Sequence, residues 1–166
     1  MKLAILMLCH RDGKQINSFI ETLNNNDISF FIHVDAKSNI DKEINVKDHV
    51  YILPKDMRHN VEWATFSQIA ATYELLSFSK TIGQYDYYCL VSGQDFPIKS
   101  SESLLNFLKE NKGISFLNLF DSYNSTGTKN NHDKNNEIAY PAWIMSRKGV
   151  GRVLRRLWVE ISGGYR

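Results

Sequence analysis

Three short polar clusters each follow an apolar run, and these are the places in the chain where residue type and position could do chemistry. His10-Arg11 follows Leu3–Cys9, Asp35-Ala36-Lys37 follows Ile28–Val34, and Ser92-Gly93-Gln94-Asp95 follows the apolar residues 87–91. The carboxylates are hydrogen-bond acceptors, and the basic side chains are donors suited to anionic groups. This is the chemistry of holding a polar ligand. Each residue also has a plain structural reading. His10 can cap a strand end, Asp35 and Lys37 can be turn residues, and Asp95 before Phe96-Pro97 can hold a turn. Trp63 can be core. Other chemistries are excluded by pattern. There is no GxGxxG and no GxxxxGK[ST], so the dinucleotide fingerprint and the P-loop are absent. Cys9 and Cys89 are far apart with no CxxC, which is neither a disulfide framework nor a zinc site. Both lie in apolar runs and read as buried free thiols of a reducing compartment.

The elements that must position these clusters alternate between strand and helix. Leu3–Cys9 is continuously apolar, as a strand covered on both faces should be. Ile16, Phe19, Ile20 and Leu23 place a helix over residues 15–24. Ile28–Val34 is a second strand, residues 36–49 a polar loop with a short helix, and residues 50–53 a third strand stopped by Pro54. A long helix is expected over 65–79, with Phe66, Ile69, Ala70, Tyr73, Leu75 and Leu76 on its inward face. Residues 87–91 form a fourth strand. Ser100 or Ser101 caps a helix that turns Leu104, Leu105 and Leu108 inward. Another strand is expected over 114–120, a polar functional loop over 121–137, and a basic helix over 146–161. Such alternation predicts an α/β domain with a mostly parallel sheet. In that architecture ligands sit beyond the carboxyl ends of the strands, where the three clusters fall.

Four segments, taken in order, resemble the core-2/I-branching enzymes, the β-1,6-N-acetylglucosaminyltransferases of glycosyltransferase family 14. They are Leu6-Met7-Leu8-Cys9-His10-Arg11, Phe31-Ile32-His33-Val34-Asp35-Ala36-Lys37-Ser38, Arg58-His59-Asn60-Val61-Glu62-Trp63-Ala64-Thr65-Phe66-Ser67, and Leu90-Val91-Ser92-Gly93-Gln94-Asp95-Phe96-Pro97-Ile98-Lys99-Ser100. The last is the most specific, and the resemblance runs over residues 1–120. It implies a GT-A-like, Rossmann-type α/β/α sandwich. It also implies inverting transfer of a sugar, GlcNAc from UDP-GlcNAc or in some relatives xylose, to a hydroxyl of a glycan or lipid-linked saccharide. The family works without the DxD metal motif, and no Asp-x-Asp occurs here. The expectation is therefore no metal and no cofactor beyond the UDP-sugar, with Lys or Arg neutralising the leaving diphosphate.

By the same resemblance, Leu8, Cys9 and His10 line the uridine pocket. Asp35, Ala36 and Lys37 meet the nucleotide, and Asp35 accepts from the ribose or uracil. Trp63 stacks near the nucleotide-sugar. Asp95 stands where many GT-A enzymes carry DxD, accepting from the donor sugar or from a neighbouring loop. Arg58 reads as a surface ion pair. The family's general base is a Glu in a later segment with no match here, and neither Glu137 nor Glu160 has its context. The expectation is thus a single domain over 1–166 that is the N-terminal portion of a longer family domain, with the base beyond Arg166. The alternative is a non-catalytic interaction or regulatory domain that kept the donor-binding fold.

Composition bounds the rest. A net charge of +2 over 166 residues argues against a nucleic-acid partner. No run of about 18 apolar residues is present. Arg147, Lys148, Arg152, Arg155 and Arg156 alternate with apolar residues. They form a basic amphipathic helix that either packs on the sheet with a solvated face or touches an anionic membrane. Together with the resemblance, this leads to an expected cytoplasmic location, peripheral to the inner face of the membrane, in a bacterial enzyme of surface-polysaccharide synthesis.

Overall fold

The structure is a computed structural model, and it describes residues 1–63 and 65–116. The chain divides into two compact units, Met1–Ile114 and Ser115–Arg166, and every element below belongs to the first. Four strands, β1 (Leu3–Cys9), β2 (Ile28–Val34), β3 (Val50–Ile52) and β4 (Tyr87–Ser92), form one sheet in the order β3-β2-β1-β4. All its pairings are parallel. Parallel neighbours need crossovers, and helices α1 (Gly13–Thr22) and α2 (Phe66–Ile82) lie in two of them. Helix α3 (Ser101–Glu110) follows β4.

The apolar runs of β1 and β2 are buried along nearly their whole length because both sheet faces are covered. On one face Leu3, Ile5, Met7, Phe30 and Ile32 pack with Ile16, Phe19 and Ile20 of α1 and with Leu105 and Leu108 of α3. On the other, Ala4, Leu6 and Phe31 pack with Leu53 and with Leu75 of α2. The Phe31 ring stacks on Tyr51 at 5.1 Å and meets the edges of Tyr85 and Phe78. The result is the three-layer α/β/α arrangement with a parallel sheet that the sequence predicts.

The caps explain where the helices start. Asp12 takes a left-handed conformation (φ 63°) that Asp tolerates better than most residues, and its side chain accepts from the Gln15 N–H. This starts α1 two residues before the apolar periodicity does. Ser100 caps α3 through the Ser103 N–H.

Three expectations are corrected. In α2 the buried residues are Ala71, Leu75 and Ser79, whereas Phe66, Ile69 and Tyr73 are exposed. Apolar side chains are spread around that helix, so periodicity could not pick the face that packs. Cys89 is exposed rather than buried. It lies on β4, at the edge of the described sheet, where Tyr88 and Leu90 are exposed as well. Residues 114–116 are not in a strand. The remainder of the strand expected over 114–120, the polar stretch 121–137 and the basic helix 146–161 lie outside the described residues.

Candidate functional site

The strand order makes the site. β1 runs between β2 and β4, so the chain lays β2 and then β3 to one side of β1 before returning to place β4 on the other. A crevice opens at the carboxyl end of such a switch. The three strand ends are locked in register. The Asp35 N–H donates to the Cys9 carbonyl at 2.8 Å and the Gly93 N–H to the Leu8 carbonyl at 2.8 Å. Gly93 is required for this approach, because a Cβ there would lie 2.6 Å from the Cβ of Cys9.

Above these ends lies a cleft of about 860 Å³, within the size range of small-ligand sites. Of the eight residues expected at a nucleotide-sugar site, Leu8, Cys9, His10, Asp35, Lys37, Trp63 and Asp95 line it. Ala36 does not; it is exposed, and its N–H donates to the His59 carbonyl at 3.1 Å. The lining also includes His33, Ser38, Val61, Gln68 and Gln94, which sequence reasoning did not single out. Gln68 lay outside the four segments, whereas Val61 lay inside the third and Ser38 inside the second. Gln94 lay inside the fourth motif and His33 inside the second, and both could have been taken from there.

The carboxylates have defined internal work. Asp35 is 7% exposed. Its Oδ1 accepts from the Lys37 N–H at 2.8 Å, closing an Asx turn, and its Oδ2 accepts from the Val61 N–H at 3.3 Å. The Lys37 ammonium lies 3.7 Å from the same Oδ2 and donates to the Val61 carbonyl at 2.8 Å. Asp35 and Lys37 therefore tie the segment 58–63 to the end of β2. Asp95 is exposed, and its Oδ2 accepts from the Ser92 N–H at 2.7 Å, closing its own turn. Ser92 Oγ accepts from the Gln94 N–H. Both carboxylates thus shape the rim of the cleft as well as facing it.

Cys9 is inert. Burial pushes its thiol up to about 12, with Arg58 lowering it and Asp35 raising it to lesser extents, and it donates to the His33 carbonyl at 3.5 Å. Trp63 is 72% exposed, which removes the core reading and leaves its ring at the cleft. Arg58 forms an ion pair with Asp41 at 3.2 Å, but an internal one, with its Nε donating to the Leu53 carbonyl. Only 8% of its side chain is exposed, so it is committed to structure. Among the described residues, no group of three or more His, Cys, Asp or Glu side chains is arranged to hold a metal ion.

The family model of the Core-2/I-Branching enzyme matches residues 3–149. The chain belongs to the Core-2/I-branching enzyme family. Its cleft is built from the four segments whose order and spacing resemble that family. Over 120 residues the chain is 28% identical to mouse (Mus musculus) beta-1,3-galactosyl-O-glycosyl-glycoprotein beta-1,6-N-acetylglucosaminyltransferase 4. That match covers 69% of this chain and 26% of the relative, so the chain spans about a quarter of the length of the curated relative it matches.

Proposed function

We propose that this core-2/I-branching chain is the donor-binding part of an inverting glycosyltransferase that takes a UDP-sugar, UDP-GlcNAc before UDP-xylose, and works without a metal ion. The observation that carries the reading is the one cleft lined by the ends of β1, β2 and β4 and by the segment 58–63, which gathers seven of the eight expected donor-site residues. The activity in the mouse relative's name, N-acetylglucosaminyl transfer, supports GlcNAc as the sugar.

In such a transfer the acceptor hydroxyl loses its proton to a general base and attacks the anomeric carbon, and UDP leaves from the opposite face. In this reading the leaving diphosphate is neutralised by basic side chains such as Lys37 and by groups outside the described residues. The acceptor is a glycan or lipid-linked saccharide. The protein acts in the cytoplasm at the membrane's inner face, in surface-polysaccharide synthesis.

Calorimetric titration with UDP, UDP-GlcNAc and UDP-xylose in EDTA tests the proposal. Saturable UDP binding is expected, with UDP-GlcNAc tighter than UDP-xylose. Absence of UDP binding, or binding only when a divalent ion is restored, overturns it.

A second reading is a binding module without transfer. In this reading Asp35 and Asp95, which each accept backbone N–H bonds, shape the cleft for the ligand and take no proton from an acceptor. UDP binding with no release of UDP from UDP-GlcNAc in the presence of glycan acceptors would select it.

A further inference from the structure

His33 is 1% exposed, next to last in β2, in a strand whose neighbouring residues are aliphatic or aromatic. A buried imidazole needs partners for its polar atoms. Its Nε2 accepts the His59 N–H at 2.9 Å. Acceptance requires the lone pair on Nε2, so the ring is neutral with its proton on Nδ1. His59 lies in the segment 58–63 that leads to Val61 and Trp63 at the cleft. This strap contains no helix or strand and is held from several sides. The Ala36 N–H donates to the His59 carbonyl, the Val61 N–H to Asp35, and Lys37 Nζ to the Val61 carbonyl. The His59 ring lies nearly parallel to His33 at 6.1 Å, and its Nε2 is 3.7 Å from Glu74 Oε2 on α2. Of these contacts, the one to His33 reaches an almost fully buried side chain of β2 at the base of the cleft.

We propose that His33 is a positioning residue: its neutral imidazole docks the strap 58–63 onto β2 and thereby sets Val61 and Trp63 at the cleft, so that docking and ligand affinity both weaken in acid. The consequence for the ligand rests on the donor-binding reading above; the docking itself does not. A proton on His33 would remove the acceptor of the His59 N–H. It would also place a cation beside Arg58 and His59 of the strap. Asp35, paired with Lys37, is the opposing carboxylate, Glu74 of α2 is on the far side of His59, and the Cys9 thiol on β1 stays protonated. Burial holds His33 below its ordinary value of 6.5. His59 and Arg58 act in the same direction, and its own backbone carbonyl and Asp35 oppose them. A group whose docked-state value is lowered supports docking fully above its ordinary value. That support is lost as pH falls below 6.5 towards the docked value.

The test is amide hydrogen exchange, followed by NMR without ligand, on the wild-type chain, His33→Phe and His33→Gln, with β1 amides as the control for global unfolding. Exchange at His59 and Val61 should rise about tenfold in His33→Phe, with β1 unchanged. His33→Gln, whose amide oxygen can accept the same bond, should restore most of the protection. In the wild type, protection corrected for intrinsic exchange should be level above pH 6.5 and fall from there to about pH 5, and His33→Phe should lack this dependence. Unchanged protection in His33→Phe overturns the proposal, as does failure of Gln to restore what Phe loses. If His33→Phe does not fold, the wild-type profile decides, and flat protection across that range overturns it. UDP titration of the same proteins separates the two readings. A wild type that binds no UDP yet shows the exchange pattern overturns the donor reading alone. Equal UDP affinity in wild type and His33→Phe overturns the link from strap to ligand.

Discussion

At the residue scale the cleft depends on close approach more than on any exposed charge. Gly93 stands where the turn after β4 meets the end of β1, and a methyl group there would lie 2.6 Å from the Cβ of Cys9. Both of those Cβ atoms sit on backbone already tied together by the bond from the Gly93 N–H to the Leu8 carbonyl, so neither can yield without moving a strand end. Gly93→Ala should therefore destabilise the protein by about 1–3 kcal/mol, the usual cost of overpacking. It should also weaken UDP binding by about tenfold or more. Thermal unfolding and calorimetry on the same variant measure the two effects. Unchanged stability would mean that the turn relaxes freely. The motif around Gly93 was legible in the sequence. The reason for the glycine was not, because its obstacle is a side chain 84 positions earlier in the chain.

At the element scale, the strands β1, β2 and β4 and the helices α1 and α3 follow the sequence pattern closely, while α2 shows its limit. Its 17 residues carry apolar side chains on more than one side. Which side packs is set by where the crossover lays the helix on β1 and β2, and that information is not local. The structure buries Leu75 completely and leaves Tyr73 69% exposed. Leu75→Ala should cost about 2–5 kcal/mol, as core truncations do. Tyr73→Ser should cost within about 0.5 kcal/mol, as surface changes do. Urea unfolding of the two variants reads the difference, and a larger loss at Tyr73 than at Leu75 would mean the opposite face is the packed one.

At the scale of the whole molecule, the cleft exists because residues distant in the chain end side by side. His10, Lys37, Trp63 and Asp95 line one cleft only once β4 has crossed back beside β1. A ligand that bridges the ends of three strands and the strap stabilises the native state by mass action. The gain is about 2.7 kcal/mol when its concentration is a hundred times Kd. UDP in EDTA should accordingly raise Tm, and uridine alone should raise it less at equal concentration. Differential scanning calorimetry checks both, and a Tm indifferent to saturating UDP would count against the donor site.

The sequence by itself determined the α/β class, the parallel sheet, the ends of the strands and the family. These follow from apolar runs, helical spacing and four ordered motifs, all local in the chain. The bonds that the motif residues make inside the protein became visible only in the folded chain. Asp35 and Asp95 read as ligand acceptors, yet each accepts backbone N–H bonds that shape the cleft. Trp63 was equally readable as core and is at the cleft. His33 passed as one more residue of a strand and accepts a part-buried bond from the strap. The physical reason is that a side chain's type states only which bonds it can make. Asp95 finds its partner three residues away, but Asp35, Lys37 and His33 also bond backbone 24 to 26 residues away in sequence, and only the packed sheet places that backbone.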